Sequence, residues 1–343
     1  LPAVRKEIDL RAGYLSGEQI ETIYIGGGTP SLIGSDETEE IIRHIRKIFH
    51  LTDNPEITVE ANPDDLTDEY AKALRATSVN RLSIGIQSFH DADLKYLGRS
   101  HNAEKALRSI KTAQTAGFEN LTIDLIYGTP TLDDAGWANN IARATDLGIQ
   151  HISAYALTVE CDTALEQLIK RKKREDVDDE KAARQFEILM RTMQSNGYIH
   201  YEISNFCREG FLARHNSSYW KGIPYLGIGA SAHSYDGLSR QWNMTDSAVY
   251  VEEIGKGVVP CEREELSLTR RYNEYIMTSL RTIWGTSLEH ITTRFGDTFR
   301  DNCVRISEKY AANGEVIIRE NMLFLSDAGK LIADKITSDL FMI

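Results

Sequence analysis

Five short apolar runs, separated by four amphipathic stretches, limit this chain more than any other feature. The runs cover residues 22–25, 57–60, 82–87, 121–127 and 151–158. Between them lie residues 37–49, 68–76, 103–116 and 137–147, where apolar side chains recur at helical spacing. Run starts at 22, 57, 82, 121 and 151 are 25 to 39 residues apart, close to the ~30 residues of one βα unit. Two of the amphipathic stretches end in Ala116-Gly117 and Leu147-Gly148, where glycine is the usual helix stop. Alternating strand and helix imply a parallel sheet, and nearly continuous apolar strands imply cover on both faces.

Polar residues decide between a barrel and an open sheet. The first run leads into Gly26-Gly27-Gly28-Thr29-Pro30, and Glu60, Asn62, Gln87 and Tyr155 sit at or just past the ends of later runs. Asp124 lies inside an apolar run, where an unpaired carboxylate would be costly. Each has a plain explanation: three glycines can make a turn, Glu60 can cap a helix, and Asp124 can pair with a buried arginine. Together they line the carboxyl-terminal side of one sheet, where a βα barrel builds its ligand site. Consecutive glycines there let main-chain N–H and C=O groups approach a ligand closely. The chain opens on a helix, expected over residues 1 to about 15, so such a barrel lacks its first strand.

The rest of the chain has a different texture. A helix is expected over 179–196, followed by His-, Gly- and aromatic-rich segments through residue 235 that carry little helix or strand periodicity and suit a loop-built site. From about Pro260, helices are expected over 264–284, 288–295 and 299–312. Strands over 316–319 and 322–326 and a helix over 327–337 follow. We therefore expect two domains, a barrel with site loops over 1–259 and a small winged-helix-like α+β module over 260–343.

Composition excludes several classes. A net charge of −12 argues against a dedicated nucleic-acid binder. The one basic run, Lys170-Arg171-Lys172-Lys173-Arg174, is answered at once by Glu175, Asp176, Asp178, Asp179 and Glu180. No stretch of 18 apolar residues could span a membrane, and the absence of a signal peptide sets a cytoplasmic expectation. Cys161, Cys207, Cys261 and Cys303 are 46, 54 and 42 positions apart, too far for a metal or redox motif, and read as buried or idle thiols.

With these motifs in view, the chain resembles the radical S-adenosylmethionine (SAM) enzymes, and within them the oxygen-independent coproporphyrinogen III oxidase-like group. The resemblance rests on Ile25-Gly26-Gly27-Gly28-Thr29-Pro30, the segment from Ile57 to Pro63, and Gly85-Ile86-Gln87-Ser88-Phe89. Leu97-Gly98-Arg99, Ile123-Asp124-Leu125-Ile126-Tyr127-Gly128, the segment from His200 to Phe206 and the carboxyl-terminal module follow in family order. Arg214-His215-Asn216-x-x-Tyr219-Trp220 resembles the His-Asn-x-x-Tyr-Trp motif of the HemW heme chaperones.

The resemblance implies an α/β fold built on a partial (βα)6 barrel. It implies that Gly27, Gly28 and Thr29 hold the methionine end of SAM, that Glu60 accepts hydrogen bonds from it, and that Gln87, Arg99 and Asp124 address its carboxylate and ribose. Ala156 and His233 would meet the adenosyl part. Asn216, Tyr219 and Trp220 would belong with His215 to a heme-binding segment, His215 as a candidate iron ligand and Tyr219 a weaker one. The family's [4Fe-4S] cluster is held by Cys-x3-Cys-x2-Cys, which this sequence lacks. With the missing first strand, that suggests a truncated or incompletely represented chain, which should be inactive in radical chemistry.

The function implied is a heme chaperone that delivers heme to acceptor hemoproteins. Two alternatives stand beside it: an enzyme oxidising coproporphyrinogen III, and a cluster-free barrel acting as a binding scaffold. Whether the protein is an enzyme stays open. No motif sets an oligomeric state, and a dimer stays open as well.

Overall fold

The protein, as a computed structural model, is described here for residues 1–15 and 17–343. It divides into two compact units, one of residues 22–39 and 56–213, the other of residues 1–21, 40–55 and 214–343.

The first unit is built on the expected sheet. Its strands are β1 (Ile20–Ile25), β2 (Leu51–Ala61), β3 (Arg81–Gln87), β4 (Leu121–Tyr127), β5 (His151–Ala156), β6 (Ile199–Glu202) and β7 (Asn205–Cys207). They follow the order β1-β2-β3-β4-β5-β7-β6, as a partial barrel. Neighbours from β2 to β5 run parallel, and β7 and β6 close the edge antiparallel. Leu82, Ile84, Ile86, Leu121, Ile123, Leu125 and Ile152 are fully buried, as strands covered on both faces require. Each such side chain contributes about 1.5–3 kcal/mol by leaving water.

Helices fill the connections: Asp68–Arg75, Ala103–Thr115 and Asp134–Asp146, then Asp179–Ser195. Thr67, Asn102, Asp133 and Asp178 each accept a first-turn N–H at their amino ends. Gly117 and Gly148, expected as stops, take φ of 94° and 66°. The basic run falls on and after the helix Ala164–Lys170, where Lys170 pairs with Glu166 across one turn.

Two buried polar clusters pin the sheet. At the amino ends of the strands, Arg81 donates to Asn120 Oδ1 (2.7 Å) and Thr122 Oγ1 (2.6 Å) and lies 3.8 Å from Glu56. Past the carboxyl ends, the fully buried Asp93 accepts hydroxyls from Ser88 (2.7 Å), Thr131 (2.6 Å) and Thr129 (3.2 Å), which ties the loops after β3 and β4 together.

Outside the parallel strands the chain departs from expectation in several places. The first helix stops at Leu10 rather than near residue 15, because turns from Arg11 to Gly13 close it. The span 197–235 is not all loop. It holds β6, β7, the helix Arg214–Trp220 and β8 (His233–Tyr235). Short elements of four, three, seven and three residues give too few periods to read from sequence. The helix expected to start at residue 264 starts at Leu268, because Cys261–Glu265 is a strand, β10. It pairs with β9 (Ser239–Asn243), and β9 with β8. Two residues past the strand, Ser267 caps the helix, accepting the N–H of Arg270 (3.2 Å).

The carboxyl-terminal helices Leu268–Ser279, Leu288–Phe295, Asp297–Ala312, Asp327–Leu331 and Ala333–Asp339 surround β11 (Thr286–Ser287), β12 (Val316–Arg319) and β13 (Met322–Leu325). Their common core includes Tyr272, Ile276, Ile291, Cys303, Leu323 and Ile336. The sheet gains a third strand, β11, beyond the expected hairpin. Among the described residues, no helix is long and apolar enough to cross a membrane.

Candidate functional site

The carboxyl ends of the parallel strands gather most of the residues singled out from sequence. Gly27 and Gly28 have φ of 82° and 64°, a backbone region that glycine enters freely. Space is open around both, so their peptide groups can face a ligand. Gly26 is glycine for a different reason. A Cβ there would lie 2.5 Å from the Tyr24 ring and 3.0 Å from the Glu60 carboxyl. Thr29 begins the turn that the helix Pro30–Leu32 completes, and its carbonyl accepts the N–H of Leu32 (3.1 Å).

Glu60, near the end of β2, is held from the first strand. Tyr24 donates its hydroxyl to one carboxyl oxygen (2.6 Å), and the Gly27 N–H donates to the other (3.1 Å). Burial, then the Glu60 charge and hydrogen bond, hold the Tyr24 phenol protonated far above its ordinary range. Sequence reading passed over Tyr24, although a lone tyrosine in an apolar strand two residues before the glycines was a signal.

Asp124 stands in the middle of β4, opposite Ser153 of β5. Burial and the nearby Glu60 charge push its pKa up to about 7, against a hydrogen bond with Ser153 and the charge of Arg99. Its charge and those of Glu60 and Glu202 in turn help burial raise the Tyr155 phenol. Asp124, Glu202 and Glu60 thus act together on the Tyr155 phenol, and the Arg99 charge opposes the rise at Asp124.

Gln87 closes β3. It is a non-glycine residue at φ 60°, sits at a break in the β3–β4 register, and is buried with its side-chain Oε1 unpartnered. A buried acceptor without a donor costs about 1–3 kcal/mol, which a ligand N–H or O–H at this point would recover. Ala156 ends β5 opposite Tyr127, and its surface is exposed.

His233 lies in the other unit, on β8, where its ring stacks on Trp242 at 6.3 Å. The heme-motif residues are in that unit too. On the helix Arg214–Trp220, His215 and Tyr219 stand one turn apart. His215 Nε2 lies 3.0 Å from the Tyr219 hydroxyl, and the two rings meet edge to face at 5.0 Å. Tyr219 in turn meets Tyr225 edge to face at 4.7 Å. Burial lowers the His215 pKa to about 4 and raises that of Tyr219 to about 12, so the imidazole is neutral and the phenol protonated near neutral pH. Arg281 covers the Trp220 ring at 5.5 Å, and the buried indole N–H is unpartnered. Asn216 is half-buried on the same helix. Its one-turn His–Tyr pairing escaped the sequence reading because the segment was expected as loop.

Two groups implied by the resemblance can be tested against these residues. SAM carries a sulfonium and an ammonium, and the carboxylate-rich pocket, the open glycine edges and the orphaned Gln87 acceptor fit such a cation. The [4Fe-4S] cluster does not fit. Cys207 and Cys303 are buried, Cys161 and Cys261 are exposed, and no set of three His, Cys, Asp or Glu among the described residues could hold a metal ion.

A partial parallel barrel whose first strand runs into a glycine-rich turn is the fold of the radical SAM class. The sequence matches the Radical SAM superfamily over residues 4–144 and the HemN C-terminal domain over residues 266–332. The solved coproporphyrinogen III oxidase (HemN) of Escherichia coli matches with a TM-score of 0.84 over 99% of this chain and 82% of that one. At 20% identity this likeness shows the fold alone. The heme chaperone HemW of Mycobacterium tuberculosis is 33% identical over 99% of this chain and 85% of its own length. That of Bacillus subtilis is 32% identical over 92% and 84%. The chain belongs to the HemW heme chaperone family.

Proposed function

We propose that this protein is a cytoplasmic heme chaperone, which binds heme on the helix Arg214–Trp220 and passes it to acceptor hemoproteins. Membership of the HemW family supports the reading. The observation that carries it in this chain is the pairing of a neutral His215 with Tyr219 on one helix, beside a half-buried Trp220 whose indole N–H is unpartnered. A neutral imidazole is the form that coordinates iron, and aromatic rings offer a porphyrin flat apolar surface. Tyr219 shares its hydroxyl with His215 Nε2 and so orients the ring before heme arrives.

The strand-end pocket is proposed to take SAM. Gly27 and Gly28 present main-chain groups, Glu60 and Asp124 receive the cationic end and hydroxyls, and Gln87 receives a donor at its open Oε1. Arg99 meets the ligand carboxylate. Ala156, at the end of β5, is the proposed adenosyl contact of this sheet. SAM, when bound, supplies a sulfonium with activated carbon–sulfur bonds. The chain's own part is to bind it, neutralise its charge and hold the Asp124 proton.

Heme titration followed at the Soret band tests the reading. The wild type should take up heme stoichiometrically, and His215→Ala should weaken binding at least tenfold while leaving SAM affinity unchanged. Equal heme affinity in wild type and His215→Ala would overturn the assignment of this helix.

A further inference from the structure

The carboxyl end of β3 is irregular in two ways. Between the pairs Ile84–Ile123 and Gln87–Leu125, β3 advances three residues while β4 advances two, so one extra residue bulges opposite Asp124. Just beyond, the Ser88 N–H donates to the Ile86 carbonyl (2.8 Å), and Gln87 between them has φ of 60°. A three-residue turn closed at positive φ is the rare, strained form of the γ-turn. A residue with a side chain stays in such a conformation only where its surroundings over-determine it. Here they do so from both sides. The buried His101 ring donates from Nε2 to the same Ile86 oxygen (3.1 Å). A carbonyl only accepts, so this bond fixes the ring proton on Nε2. The fully buried Ser88 donates its hydroxyl to Asp93 (2.7 Å) and accepts from Asn140 Nδ2 (3.0 Å) and the His90 N–H (3.1 Å). Asn140 Oδ1 in turn takes the Phe89 N–H (3.0 Å). The Gln87 amide folds back over Gly85, where a Cβ would lie 2.7 Å from Nε2. A buried network thus maintains a strained turn around a buried side chain whose own Oε1 it leaves unpartnered, the reverse of what stability alone favours.

We propose that His101 is a positioning residue: through the Ile86 carbonyl it holds Gln87 in the strained turn, so that the amide is set for a polar group of the ligand before the ligand arrives. Gly85 keeps clear the space that the folded-back amide occupies. The proposal rests on the reading of the strand-end pocket as a SAM site, and adds to it the device that preorganises one of its contacts. Preorganisation of this kind moves the conformational cost of binding into the folding of the free protein. The ligand then meets an acceptor already fixed and already stripped of water.

Thermal melting and calorimetric titration with SAM, both on the full chain, test this. Glycine takes φ of 60° freely and alanine does not, so Gln87→Gly should melt about 2 °C above Gln87→Ala, the reverse of their order at an ordinary strand position. Both variants should bind SAM about tenfold more weakly than the wild type. His101→Phe keeps a ring and removes the donor. It should cost about tenfold in SAM affinity in the wild-type background and nothing further in Gln87→Ala, whereas a merely structural histidine would cost the same in both. Gly85→Ala should displace the amide and lose similar affinity with little change in melting. If His101→Phe does not fold, the wild type still decides the matter, because a proton–nitrogen correlation spectrum must find the His101 ring proton on Nε2. Gln87→Ala melting at or above Gln87→Gly, equal losses from His101→Phe in both backgrounds, or a ring proton on Nδ1 would overturn the proposal. SAM binding that Gln87→Ala leaves unchanged would overturn the proposal alone. A wild type that binds no SAM would overturn the reading of the pocket, and the proposal with it.

Discussion

Acidification should expose the environment of His215. Burial holds its pKa at about 4 against the usual 6.5. Below pH 6.5 the unfolded chain takes up the proton first, while the folded protein resists it. The stability tied to this residue is therefore intact above about pH 6.5 and is lost as pH falls toward 4. A shift of that size corresponds to roughly 3 kcal/mol at most, and to about 2 kcal/mol once water at the partly exposed ring is allowed for. His215→Gln keeps a polar side chain and removes the titration, so its stability should fall less steeply than that of the wild type between pH 6.5 and 4. Urea denaturation at half-unit pH steps gives the difference, and the His215 ring carbon in an NMR titration gives the pKa directly. Heme binding should follow the same logic and keep its affinity from pH 7.5 to about 5, since the imidazole is neutral throughout. Parallel stability curves for wild type and His215→Gln, or an NMR midpoint near 6.5, would refute the argument.

Two further outcomes follow from the strand-end pocket. Asp124 has its folded pKa raised to about 7, so the unfolded chain loses the proton first and the residue costs stability as pH climbs from about 4 through 7. Asp124→Asn should then raise the melting temperature at pH 8, by about 2 kcal/mol of stability, while weakening SAM binding at least tenfold. An unchanged thermal midpoint at pH 8 would contradict it. Gly26→Ala drives a methyl group into Tyr24 and the Glu60 carboxyl, and should cost about 1–3 kcal/mol with loss of SAM affinity by calorimetry. Gly27→Ala meets open space and should cost only about 1 kcal/mol of backbone strain, so equal losses from the two would argue against this packing.

Much of the fold and of the strand-end pocket was legible in the chain itself. The five apolar runs are strands because period and length are local properties, and the glycine stops act within one helix turn. Gly26–Gly28, Glu60, Gln87 and Asp124 could be placed on one side of the sheet because a parallel strand puts its carboxyl end there whatever surrounds it. The strand at Cys261–Glu265 and the helix Arg214–Trp220 were not legible, since both are short and take their state from neighbours: β9 in one case, a stack of aromatic rings in the other. The tertiary structure alone decided that Gly26 must lack a side chain, that Gln87 keeps an unpartnered oxygen, and that His215 is neutral. Each depends on atoms brought close from distant positions, or on the water they exclude, and neither proximity nor desolvation is written in local sequence.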